Sequence, residues 1–279
     1  VLTAPEITFL HNNGEWRQWA ELGIAGTGGA ALTSSVVKGF WEYDIKTALG
    51  TDSSGNANTL TAAGTPTQGW GVNYLAGVCS YWQDLSGNGN HGLSAALGNR
   101  LAYCTGVLNG KPVLCGDGID DYMTTTLAGL PAATIFFVGK INAASDVAYG
   151  VQDGADANRS YIGSSAADKF AGGVAANADD AITSNDDPGT AFFGSLQYSG
   201  DTETVTLYRN GTSEYSDAQS GAVSTALTYT IGARRTAAAV FDSYLDGQIA
   251  EIIVYNRSLP DTERKFIERA LSYKWGIAP

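Results

Sequence analysis

Along "ETVTLYRNG" (203–211), Val205 and Leu207 alternate with Thr204 and Thr206. A period of two places one set of side chains inside and the other in water, which predicts a half-buried strand. Segments rich in β-branched and aromatic residues recur in "GFWEYDI" (39–45), "KPVLC" (111–115), "DYMTTTL" (121–127), "ATIFFVGKI" (133–141), "TAFFGSLQYSG" (190–200), "LTYTIGAR" (227–234) and "SYLDGQIAEIIVYNR" (243–257). Asn109-Gly110 and Asn210-Gly211 punctuate them, a dipeptide suited to tight hairpins. Short strands separated by Gly/Asn turns predict an all-β sandwich.

One segment has a helical period. In "SLPDTERKFIERALSYKWGI", Pro260 stands near the first turn with Asp261 and Glu263 behind it. Phe266, Ile267, Ala270 and Leu271 are predicted to form the apolar face, Lys274 suits the last turn, and Gly276 ends the helix. The first residues form a different unit. Trp16, Trp19 and Leu22 are spaced by three, and Gly23, Gly26, Gly28 and Gly29 follow. Residues 1–35 are therefore expected to be an arm with a glycine-rich joint, and 36–279 the sandwich domain.

Composition narrows the function. Charged residues make up 16% of the chain and glycine 35 positions, which suits turns and short strands. The net charge is 16 − 28 = −12, and such a field repels phosphate backbones and anionic membranes. Nucleic acid and membrane are thus excluded as expected partners. No apolar run approaches membrane-spanning length, and no basic start followed by an apolar block marks a signal peptide. Cys79, Cys104 and Cys115 are too few and scattered for a disulfide scaffold or a zinc site, and Cys115 is expected to be a buried free thiol.

The order "YWQDLSGNGNHG", "LNGKPVLCGDGIDDYMTTTL", "ATIFFVGKI" and "YLDGQIAEIIVYNRSLPDTERKFIERALSYKWGI" resembles the laminin-G-like branch of the concanavalin A-like lectin/glucanase superfamily. The match spans roughly residues 80 to 277, and the C-terminal block is its most specific part. The resemblance implies a jelly-roll β-sandwich of two antiparallel sheets. It also implies a non-enzymatic module that binds glycans or proteins on bacterial surfaces or bacteriophage virions.

The loop "DLSGNGNHG" (84–92) has a weaker echo in "DSSGNANTL" (52–60). Asp84, Ser86 and Asn88 alternate as oxygen donors before Gly89, as in the first half of a calcium loop, but the twelfth position is Ala95. An Asx-type turn is the main expectation, with Asp84 and Asn88 bonding nearby backbone. A ligand-binding role for Asp84, Asn88, Asn90 and His91 is the alternative, joined by the loop-adjacent aromatics Trp70, Trp82, Tyr149 and Tyr161. Asp117, Asp120 and Asp121, and further on Asp179 and Asp180, form acidic loops whose oxygens suit calcium.

A glycosidase of this superfamily needs carboxylates two and four or five positions apart on one strand. Glu42 and Asp44 begin that pattern, but Lys46 and Thr47 end it. His11 and His91 have no nucleophile elbow beside them. Catalysis is therefore not expected. The expected partners are cell-surface carbohydrate and, through Trp16, Trp19 and Leu22, another virion or surface protein or a second copy of the chain. A structural virion decoration protein, anchored by the arm, is the alternative function.

Overall fold

A computed structural model describes the backbone of residues 37–42 and 72–75 and, apart from short internal segments, residues 77–279. The described strands are β1 (Val37–Glu42), β2 (Val72–Leu75), β3 (Val78–Trp82), β4 (Gly92–Leu93), β5 (Ala102–Leu108), β6 (Lys111–Asp117), β7 (Met123–Ala128), β8 (Ala133–Ile141), β9 (Val147–Val151) and β10 (Arg159–Ser164). There follow β11 (Lys169–Ala175), β12 (Ala181–Asp186), β13 (Phe192–Tyr198), β14 (Thr204–Arg209), β15 (Thr212–Ala218), β16 (Thr228–Ile231), β17 (Arg234–Ala237), β18 (Val240–Asp242) and β19 (Asp246–Tyr255). Helix α1 (Asp261–Trp275) closes the chain's order of elements.

Antiparallel pairing arranges the strands in two layers. The first runs β5–β6–β19–β8–β13–β14–β15, with β1 taking over from β6 along the same edge of β19. The second runs β2–β3–β4–β7–β16–β9–β10–β11–β12. A single pair, Val78 opposite Ala102, carries the hydrogen bonding from β3 to β5, so the layers are continuous at one edge. The β17–β18 hairpin stands apart and packs across β9 and β16.

The run "ATIFFVGKI" is apolar throughout because β8 is covered on both faces. Ile135 and Phe137 enter the core between the layers, while Phe136 and Val138 enter a second core beneath α1. β19 does the same with a change of phase. Its register slips between Ile249 and Glu251, so Ile249, Ile252 and Val254 face the sandwich while Ala250, Ile253 and Tyr255 face the helix. Cover on both faces is why "IAEIIVY" shows no alternation, and the bulge shifts which residues meet which core.

The helix buries Ile267 and Leu271 as predicted from its period, together with Arg264, Glu268 and Trp275, which were not. This corrects the expected apolar face. Phe266 is only partly buried, and the centre of the contact is an ion pair: Arg264 Nη1 lies 2.6 Å from Glu268 Oε2. Charged positions on a helix suggest a stripe facing water, yet here the two are buried against each other, with further bonds from Arg264 to Asp261 and from Ser195 to Glu268. Gly276 ends the helix at φ 66°, and the Asn109 side-chain amide donates to the Lys274 carbonyl at 3.1 Å. Asn109 itself adopts φ 49° in the turn between β5 and β6. Both predicted Asn-Gly hairpins are present, with positive φ at Asn109, Gly110, Asn210 and Gly211.

The expectation for Cys115 is overturned. It is bonded to Cys104 across the β5–β6 pair, with Cα atoms 6.3 Å apart. Their spacing of eleven residues carries no disulfide signature; only the hairpin register makes them diagonal neighbours. Cys79 is the free, buried cysteine, and burial pushes its thiol up to about 12.

Candidate functional site

The outer face of the second layer can be followed residue by residue across the register. Tyr81 stands opposite Leu93, Leu93 opposite Thr124, and Thr124 opposite Thr230. The same row continues through Gly150 and Tyr161 to Gly173. Directly opposed residues share a face, so this is one line of side chains across the sheet.

The β17–β18 hairpin divides that line. Thr230 is fully buried, and its hydroxyl donates to the carbonyl of Gly150 at 3.0 Å and to that of Ala233. On the β4–β7 side the face is open. Leu93 is 48% exposed, Thr126 is exposed, and Tyr81, His91 and Thr124 are half-buried. At the entry to β7 stands a stack against the hairpin. The Tyr122 and Phe241 rings lie 4.1 Å apart, Tyr244 is 6.3 Å from Tyr122, and the Arg235 guanidinium sits 6.0 Å from Phe241. Arg235 Nη1 also donates to Thr228 Oγ1 at 2.6 Å, which ties the hairpin down on β16. We call this open strip along β7, which carries Leu93, Thr124 and Thr126, the trough.

The loop 84–92 borders the strip at Thr126, and it is a turn bonded to itself. Asp84, 3% exposed, accepts the Ser86 amide at 2.8 Å through Oδ1 and the Asn90 amide at 2.8 Å through Oδ2. Its own amide donates to His91 Nδ1 at 3.0 Å. Gly87 and Gly89 take positive φ of 83° and 75°. The Asx-turn expectation therefore holds for Asp84, whose two carboxylate oxygens each accept a backbone amide of the loop. Asn88 bonds Ser86 and stays exposed. Asn90 and His91 reach the trough: Thr126 Oγ1 donates to Asn90 Oδ1 at 3.0 Å, and His91 lies 5.2 Å from the Tyr81 ring.

Three predicted ligand aromatics are corrected. Trp82 and Tyr149 are 0% exposed and belong to the core between the layers. Tyr149 stacks on Tyr229 at 4.7 Å, in a buried phenol cluster where Tyr198 also meets Tyr229. Tyr161 points to the outer face but is 5% exposed. Its ring lies over Gly173, where an added Cβ would meet it at 2.2 Å, and Arg159 sits 5.5 Å from its centroid. These residues look loop-adjacent in the sequence because "VAYGV" and "RSYIGS" are poor in large apolar residues, yet both are fully buried strands.

The acids Asp117, Asp120 and Asp121 come together at the entry to β7, with ligand oxygens within 4.8 Å of one another. Burial first, then the charges of Asp117 and Asp120, push the Asp121 carboxyl up to about 6. Carboxylates so placed suit a hard cation such as calcium. Desolvation first, then Tyr122 and Asp120, raise the neighbouring Tyr244 phenol. Sequence reasoning missed Tyr122, Phe241, Tyr244 and Tyr81. Their only signal was an aromatic residue beside a turn, shared with many core residues. Trp70, Asp179, Asp180, Trp16, Trp19 and Leu22 lie outside the described residues.

No protein-family model and no curated protein matches this chain. Solved structures do. An arabinofuranosidase complexed with arabinofuranosyl-alpha-1,2-xylobiose is 15% identical over 70% of this chain and 50% of its own, with a TM-score of 0.52. The fold is a jelly roll. The carbohydrate-binding module CBM40 of a Ruminococcus gnavus sialidase matches 50% of this chain and 83% of its own at 14% identity and TM-score 0.41. A pentraxin from Limulus polyphemus matches 51% of this chain and 71% of its own at 12% identity and TM-score 0.41. This jelly roll thus spans half of the arabinofuranosidase, and 24% of a NanB sialidase that also matches.

Beneath the helix, the register sets Glu42 opposite Glu251. Glu251 is 1% exposed, accepts Trp275 Nε1–H at 2.5 Å and pairs with Lys274 at 3.2 Å. Burial pushes the Lys274 ammonium down to about 7, against the pull of that carboxylate. Glu251 is thus sealed on the face of the sandwich away from the trough.

Proposed function

We propose that this chain is a non-catalytic glycan-recognition module of the laminin-G-like branch, acting at a bacterial or virion surface. The carrying observation is the open trough along β7. Part-exposed aromatic rings and an apolar floor stand beside hydroxyl and amide groups, the combination that sugar rings require. The jelly-roll fold is in keeping with it. The burial of Glu251 argues against hydrolysis, because a glycosidase needs two carboxylates open to one sugar bond. The Cys104–Cys115 bond supports a place outside the reducing cytosol.

The test is a glycan array with the full chain, followed by a reducing-end assay on every ligand found. Binding that weakens in Leu93→Asp, without release of reducing ends, is the expected result. Turnover lost in Glu42→Gln would overturn the non-catalytic part. An array without a hit would overturn glycan recognition.

A further inference from the structure

We infer that the trough selects uncharged linear oligosaccharides over anionic ones, with the Tyr122–Phe241–Tyr244 stack as its sugar platform. The inference rests on the glycan-recognition reading of this same face and names its ligand class.

The floor carries no charge. Leu93, Thr124 and Thr126 offer a methyl surface and hydroxyls, and Asn90 adds an amide. A carboxylated sugar would need a free guanidinium fork or ammonium here. The two arginines of the hairpin are already engaged. Arg234 makes a two-bonded pair with Asp242, at 2.7 and 2.9 Å. Arg235 donates to Thr228 Oγ1 and to the Ala237 carbonyl, with its plane near Phe241. At the aromatic end stand the carboxylates of Asp117, Asp120 and Asp121. Their field, added to a net charge of −12, repels an anionic ring from the platform where it would stack.

The dimensions favour a chain over a single terminal sugar. Tyr122 to Thr126 is four residues along β7, about 13 Å at the strand rise. The Tyr244 ring stands 6.3 Å from that of Tyr122. The strand length alone suits two or three pyranose rings laid end to end.

The test is calorimetric titration of the full chain with xylotetraose, cellotetraose and tetragalacturonate, at low and at high salt. At least one neutral tetramer should bind, and more tightly than its dimer. The galacturonate should be weaker by about tenfold or more at low salt, with the gap narrowing at high salt because exposed charges are screened. The double substitution Asp117→Asn/Asp120→Asn should narrow the gap at low salt as well. Phe241→Leu, which keeps apolar volume but removes the ring, should weaken the neutral ligand by about tenfold, the scale of one aromatic stacking contact. Near-ultraviolet circular dichroism on that variant separates lost binding from lost folding, and Phe241→Trp should bind as well as the parent. Preference for the anionic tetramer, or a folded Phe241→Leu variant with unchanged affinity, overturns the inference and leaves glycan recognition standing. Failure of every array glycan sinks both.

Discussion

Replacing Arg264 by methionine should be among the most damaging single changes in the protein. The guanidinium is 1% exposed and bonds both oxygens of Glu268 at 2.6 Å through Nη1. It also lies 3.5 Å from the Tyr208 ring centroid. Glu268 is 3% exposed, and its remaining protein bond is the Ser195 hydroxyl at 2.9 Å. Removing the arginine strands a buried carboxylate, which typically costs about 3–5 kcal/mol. The lost cation–π contact adds roughly 1 kcal/mol. Replacing both partners, as Arg264→Met/Glu268→Leu, removes the stranded charge and should return stability to within about 1–2 kcal/mol of the parent. Urea unfolding followed by tryptophan fluorescence measures both, with the midpoint read at constant slope. If the single variant loses less than about 1 kcal/mol, or the double loses as much as the single, the ion pair is not what seats the helix. Because burial raises the Glu268 carboxyl above its usual range, the single variant should recover part of its loss as pH falls and that carboxyl protonates.

Further expectations follow from other sites. Asp121→Asn should stabilise the protein at neutral pH by about 1–2 kcal/mol, because a tenfold change in proton affinity is worth about 1.36 kcal/mol and solvent screening takes a share of the total. Because the folded value is raised from 3.8 to about 6, the parent should lose stability as pH rises through that window in the presence of chelator, and the variant should not. A parent melting profile flat over that window would refute the raised Asp121 carboxyl. Asn109→Ala should cost about 1 kcal/mol or more in chemical unfolding, since it removes the bond to the Lys274 carbonyl and strains a positive φ, while Asn109→Gly should cost less. Reduction of Cys104–Cys115 should lower stability by about 2–3 kcal/mol, the loop-closure scale for a short ring, with Cys104→Ser/Cys115→Ser insensitive to reductant.

The elements most legible in the sequence were those whose side chains reveal a period or a turn. β8, β14 and α1 fall close to their predicted bounds, because their residues are either covered on both faces, alternate cleanly, or repeat at helical spacing. β9, β10 and β11 were not predicted. "RSYIGS" and "KFAGGVA" hide their burial in small residues, which pack by letting Tyr161 and neighbouring chains come close. The site was less legible than the fold. The turn role of Asp84 could be read from spacing, and the acids at 117–121 from proximity in sequence. Phe241 and Tyr122 are 119 positions apart and meet only through the hairpin that crosses β16. Likewise, nothing local to Trp82 or Tyr149 says on which side of a strand it lies.

The order of synthesis gives α1 a further meaning. The helix is made after every strand it covers, and until then Phe136, Val138, Phe193, Ile253 and Tyr255 have no lid. Strands β8, β13 and β19 can pair while the helix is still in the ribosome, leaving an oily surface facing the cytosol or a translocon. Such a nascent sandwich is a client for a holding chaperone. An expression truncation before residue 261 would make that state permanent, and the product should collect in inclusion bodies even though the trough on the opposite layer is complete.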